Sequence, residues 1–157
     1  MTIERVAIVG LGLIGGSIGL AARAMQPEVA TTGWDADSDV RARAAQRGLV
    51  GTVCDSVADA VGEADLVILC VPVGAMGYAA EAIAPHLRPG TVVSDVGSSK
   101  RSVGDALATI VRLAQHLDQV ALRVDAERAA HVHIRSRFII WCRHGHLVHI
   151  CRKRHEA

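Results

Sequence analysis

The chain has 157 residues and a formal net charge of +1, with half of its residues apolar and 21% charged. That length and balance suit a domain with a real core and argue against global disorder. No run approaches the 18 apolar residues of a membrane span, and Glu4 and Arg5 interrupt any secretory pattern, so no membrane partner is expected and the cytoplasm is the expected compartment.

In chain order, Val6-Ala7-Ile8-Val9 is a wholly apolar run before glycine, the mark of a buried parallel strand. Ile14, Ile18, Ala21, Ala22 and Met25 then recur at helical spacing, and Pro27 helps to end that helix. Residues 29–34 predict a second strand, followed by a helix over 37–46 with Asp37 as its cap and Gly48 beyond its end. A short strand over 50–53 and a short helix over 55–60 come next. Residues 65–71 form the clearest buried strand, which ends at Pro72. A helix over 75–87, a strand over 91–94 and a helix capped by Ser99 complete the regular part. Strands alternating with helices predict βαβ units with right-handed crossovers: an α/β fold, a Rossmann-like doubly wound parallel sheet.

The composition is uneven along the chain. Residues 1–100 carry 7 Lys/Arg against 11 Asp/Glu, whereas residues 101–157 carry 10 against 5 and hold seven of the eight histidines. Fourteen of the fifteen glycines fall at or before Gly104, and all four prolines by Pro89. Gly and Pro normally punctuate turns throughout a globular chain, so a boundary is expected beyond Gly104. The expected division is a dinucleotide-binding domain over residues 1–117 and an atypical basic tail over 118–157 with no recognisable domain. The tail is expected to pack poorly, with a hairpin between 137–142 and 147–151 around His144-Gly145. Its arginines with Phe138 and Trp141 fall short of a nucleic-acid module, so no nucleic acid is expected. Cys54, Cys70, Cys142 and Cys151 lack zinc spacing and read as reduced thiols. The His144, His146 and His149 cluster reads as chance, and no metal is expected.

The chemistry concentrates at strand ends. Gly10-Leu11-Gly12-Leu13-Ile14-Gly15 has the G-x-G-x-x-G spacing, placed as that motif requires between a buried strand and a helix. Gly10 permits the tight turn, Gly12 lets the backbone approach a pyrophosphate, and Gly15 allows close helix–strand packing. The helix start offers N–H groups and a positive dipole to phosphates. Asp35, twenty residues after Gly15, can accept hydrogen bonds from ribose hydroxyls and would repel a 2′-phosphate, which favours NAD over NADP. Gly16 and Gly19 fit either helix packing or ligand contact. Val71 and Pro72 occupy the next strand end and can border the cofactor. The stretch 95–100 sets Asp95, Ser98, Ser99 and Lys100 beyond a further strand, where Ser98 can donate to a substrate oxygen and Lys100 can attract an anion.

These stretches together resemble the prephenate and arogenate (cyclohexadienyl) dehydrogenases: VAIVGLGLIGGSIG at 6–19, Gly33 to Asp35, DLVILCVPV at 65–73 and VVSDVGSSK at 92–100. The resemblance covers roughly residues 4–115, the nucleotide-binding part only. It implies NAD-dependent oxidative decarboxylation of prephenate or arogenate in tyrosine biosynthesis, with Ser98 as the catalytic serine that hydrogen-bonds the substrate hydroxyl alongside a histidine. The family places that histidine in a His-Pro pair, and this sequence contains none. His131 and His133 lie in the corresponding region, followed by Val132 and Ile134. The resemblance also implies a dimer formed through a helical domain, which the residues after about Leu117 do not resemble; a truncation or a frameshift there is the expectation. Three readings follow: the dehydrogenase, the same enzyme with its activity lost in a chain this short, or a catalytically inactive NAD-binding regulatory or sensor module.

Overall fold

The computed structural model describes residues 2–97 and the backbone of three short segments, 121–123, 140–141 and 147–148. The elements alternate: β1 (Arg5–Val9), α1 (Leu13–Met25), β2 (Ala30–Trp34), α2 (Ser38–Gln46), β3 (Thr52–Val53), α3 (Val57–Val61), β4 (Leu66–Leu69), α4 (Met76–Ile83) and β5 (Val92–Asp95). β6 (Ala121–Arg123), β7 (Ile140–Trp141) and β8 (Leu147–Val148) follow. The sheet order is β3-β2-β1-β4-β5-β6-β7-β8, parallel except for the β7–β8 pair. The first six places reproduce the doubly wound order, whose chain reversal lies between β1 and β4.

Each central strand is covered on both faces. Along β1, Ala7 and Val9 join Val67, Leu69 and Val93 in a core closed by Ala60 and Val61 of α3 and by Met76, Ala80 and Ile83 of α4. Val6 and Ile8 point the other way, into a core with Leu11, Ala44 and Val50. This alternation is the period-two pleat applied to a continuous apolar run. Ile8 and Leu69 are fully buried, and each such side chain contributes about 1.5–3 kcal/mol.

Helix α1 departs from the expectation drawn from its apolar spacing. Its buried residues are Gly15, Gly16 and Gly19, whereas Ile14 is 54% and Met25 77% exposed. A glycine stripe is what lets this helix lie so close to its neighbours. A Cβ on Gly19 would sit 2.3 Å from the Leu49 carbonyl oxygen, so packing accounts for Gly16 and Gly19.

The caps follow the sequence. The Asp37 carboxylate accepts from the Asp39 N–H at 2.8 Å, and Ser56 Oγ accepts from the Asp59 N–H at 3.1 Å. The latter sets the start of α3 at Val57 rather than at residue 55. The helix expected over 75–87 is three pieces: a 3-10 turn at Val73–Ala75, α4, and a 3-10 turn at Ala84–His86. Pro85 explains the second break, since it has no N–H for an α-helical bond. β4 ends at Leu69 rather than at residue 71, because the chain turns into the Pro72 bend.

At the opposite end of the sheet, Asp65 ties three segments together. Its Oδ2 accepts from the N–H groups of Glu4 and Arg5, both at 2.9 Å, and its Oδ1 accepts from Arg88. These backbone donors, with the Arg88 charge, hold its pKa below the usual carboxylate range against the effect of burial. β6 to β8 fall in the tail, where the sequence predicts only a hairpin. The antiparallel pairs Ile140↔Val148 and Trp141↔Leu147 lie within that hairpin. The expected helix after Ser99 and the packing of the tail's side chains lie outside the described residues.

Candidate dinucleotide site

The C-terminal ends of β1, β2, β4 and β5 converge around the glycine loop. Gly10 leaves β1 with φ +96°, a conformation that L side chains rarely adopt, and a Cβ there would stand 2.5 Å from the Cys70 carbonyl oxygen. Its N–H donates to the Trp34 carbonyl oxygen at 2.8 Å, which fastens the loop to β2. Gly12 caps α1, and a Cβ built on it would meet nothing within 4 Å. The Gly12 carbonyl accepts the first intrahelical bond, from the Gly16 N–H at 2.9 Å. The first-turn N–H groups therefore face open space with no capping side chain, which is the arrangement that receives a phosphate. Gly15 closes the loop: a Cβ on it would lie 1.9 Å from the Gly10 carbonyl oxygen.

Asp35, half-buried, stands just beyond β2 and is wired into this loop. Its Oδ2 accepts from the Leu11 N–H at 2.8 Å and its Oδ1 from the Asp37 N–H at 3.0 Å. Each carboxylate oxygen has a second lone pair, so both can still accept from a ribose hydroxyl. The motif spacing found Asp35 but not its second task of holding the loop in place. It also missed Arg41, whose Nη1 donates to the carbonyl oxygens of Asp35 and Ala36 at 2.8 and 3.3 Å. Only its position, six residues beyond Asp35 on the next helix, hinted at it.

The remaining site residues sit as follows. Leu11 is buried under the loop, and Leu13 (89% exposed) and Ile14 stand on the open first turn of α1. Val71 packs against the core beside Gly10, and Pro72 is exposed. On β5, Asp95 Oδ1 accepts from the Gly97 N–H at 2.6 Å, forming the turn that leads toward Ser98. Ser98 and Lys100, with His131 and His133, lie outside the described residues. Cys70 borders the same region. Burial first, and the Asp95 charge second, push its thiol pKa up to about 11. It is a protonated packing residue rather than a nucleophile. Cys54 is buried and shifted in the same direction, again first by burial.

A βαβ unit with this loop at a chain reversal, joined to an acid at the end of β2, defines a nucleotide-binding domain of the doubly wound class. The chain belongs to the family described as "Prephenate dehydrogenase, nucleotide-binding domain", which matches residues 18–118. It is 48% identical over 100 residues to the cyclohexadienyl dehydrogenase of Zymomonas mobilis, covering 64% of this chain and 34% of that protein. It is 35% identical over 101 residues to the prephenate dehydrogenase of Lactococcus lactis, covering 64% of this chain and 28% of that one. Among solved structures, the prephenate dehydrogenase of A. aeolicus, in complex with hydroxyphenyl propionate and NAD+, superposes with a TM-score of 0.61 at 25% identity. That superposition covers 73% of this chain and 39% of the other. The chain thus spans about a third of the length of the relatives it matches. Among the described residues, no helix is long and apolar enough to cross a membrane.

Proposed function

We propose that this chain binds NAD across the Gly10–Gly15 loop and supplies the nucleotide-binding domain of a prephenate or arogenate dehydrogenase. The observation that carries the reading is the bond from the Leu11 N–H to Asp35 Oδ2 at 2.8 Å. It joins the phosphate-receiving turn and the ribose-facing carboxylate into one rigid unit. The first-turn N–H groups of α1 hold the pyrophosphate, Asp35 holds the adenosine ribose, and Val71 and Pro72 border the nicotinamide side. When bound, NAD supplies the acceptor for a hydride. Ser98, which matches the serine of the family's D-x-G-S-x-K stretch, is assigned the hydrogen bond to the substrate hydroxyl, and orienting that group is how such a residue assists the reaction.

The substrate is proposed from the relatives: a cyclohexadienol carboxylate whose ring becomes aromatic as carbon dioxide leaves. The process is tyrosine biosynthesis. Pairing of two copies and a cytoplasmic setting are proposed on the same footing. The test is a chimera in which residues 1–117 of this chain replace the matching segment of the Zymomonas mobilis enzyme. The chimera should form NADH with prephenate or arogenate. A folded, NAD-binding chimera that forms none would overturn the assignment of this domain to that chemistry.

A further inference from the structure

We propose that Arg41 is a second determinant of cofactor choice, placed to receive a phosphate on the adenosine ribose once the charge of Asp35 is removed. The inference rests on the reading of the Gly10–Gly15 loop and Asp35 as the dinucleotide site. Arg41 stands against the backbone of the very residue whose carboxylate is assigned to that ribose, with Nη1 at 2.8 Å from the Asp35 carbonyl oxygen and 3.3 Å from that of Ala36. It bonds the carbonyl of Asp35, and no direct ion pair joins the guanidinium to the Asp35 carboxylate among the described residues. Among the described residues Arg41 makes no ion pair, and its Nε and Nη2 donors make no hydrogen bond. That edge of a guanidinium is the fork that grips a phosphate through two parallel bonds.

The local charges therefore oppose each other. A ribose hydroxyl is accepted by Asp35, whereas a ribose phosphate would be repelled by Asp35 and attracted by Arg41. Two nearby arginines on a different face, Arg43 in α2 and Arg47 at its C-cap, line a groove between α1 and α2 with Leu13, Ser17 and Leu20. They provide a control for general positive charge.

The experiment is calorimetric titration of the 157-residue chain with NAD and with NADP, read as the ratio of the two dissociation constants. Asp35→Ser should shift that ratio toward NADP at least tenfold. In the Asp35→Ser background, Arg41→Gln should reverse at least fivefold of that shift, although Gln retains a donor for the strand-end carbonyls. Arg41→Lys should preserve part of it, and Arg47→Gln should leave it in place. The Arg41-dependent part should shrink as salt is raised. The inference is overturned if the shift toward NADP is the same with Gln at position 41, or if Arg47→Gln removes as much of it. Failure of the unaltered chain to bind either dinucleotide would instead overturn the underlying site assignment. Thermal unfolding of each variant, with midpoints near that of the parent, separates lost folding from lost binding.

Discussion

Gly15→Ala is the smallest change that strikes the proposed cradle. The added Cβ would lie 1.9 Å from the Gly10 carbonyl oxygen, about 1.5 Å short of ordinary van der Waals contact. Both groups are backbone, so no side chain can rotate away. The helix must retreat from the end of β1 or the Gly10 turn must open. Overpacking of this kind costs about 1–3 kcal/mol, offset by up to about 1 kcal/mol because Ala is the better helix former. A net loss of about 1–2 kcal/mol in stability is expected. Binding should suffer more, since the retreat moves the first-turn N–H groups away from the phosphate position, and loss of one or two charge-assisted bonds at about 1.5–3 kcal/mol each weakens NAD at least tenfold. Gly77→Ala is the control: it lies in α4, a Cβ there meets nothing within 4 Å, and it should leave NAD affinity unchanged while raising stability slightly. Chemical denaturation and calorimetry on both variants give the two numbers. Gly15→Ala with unaltered stability and unaltered NAD affinity would refute the close-packing account of the loop.

Asp65→Ala should destabilise the fold by about 1–2 kcal/mol at neutral pH, given the three donors it satisfies and their access to water. Because its folded pKa is lowered, that contribution is present above the unfolded carboxylate value near ~3.9 and is lost as pH falls through the lower, folded one. Denaturation curves of parent and variant should therefore converge in acid, and a gap that persists or widens there would contradict the assignment. Cys70, with a pKa of about 11, should resist iodoacetamide at pH 8, where about one thiol in a thousand is ionised. Peptide mapping that found it rapidly alkylated in the folded chain would count against its burial. A polypeptide of these 157 residues, supplied with NAD and prephenate or arogenate, should form NADH at well under about 1 per second, because its sequence has no His-Pro pair to match the family's base. Steady turnover in the ordinary enzyme range would show that another residue fills that role.

The glycine loop and its acid were legible because their roles depend on spacing. A turn at Gly10, an exposed helix start at Gly12 and a carboxylate at the end of β2 follow from motif and strand pattern alone. The parallel sheet was legible from unbroken apolar runs such as Val67-Ile68-Leu69. What was not legible depends on distance across the fold. Nothing in a linear pattern shows that the Leu11 N–H reaches Asp35, or that Arg41 turns back onto the strand it follows. The inward face of α1 was misjudged for a similar reason. Apolar spacing marks Ile14 and Met25, yet the inward face is set by closeness of approach, which Gly15 permits against Gly10 and Ile8, and Gly16 and Gly19 against Leu49 and Val50. The tripartite α4 region was hidden by its apolar content, although Pro85 could have signalled the break. β6 to β8 are two or three residues long, too short for any period to register.

The central claim is that the loop and Asp35 form a dinucleotide site that prefers NAD. Calorimetric titration of the unaltered chain with NAD and with NADP tests it most directly. The account predicts one NAD per chain, bound more tightly than NADP, with the preference narrowed by Asp35→Ala. Equal affinities, a preference for NADP, or no binding of either dinucleotide would contradict it.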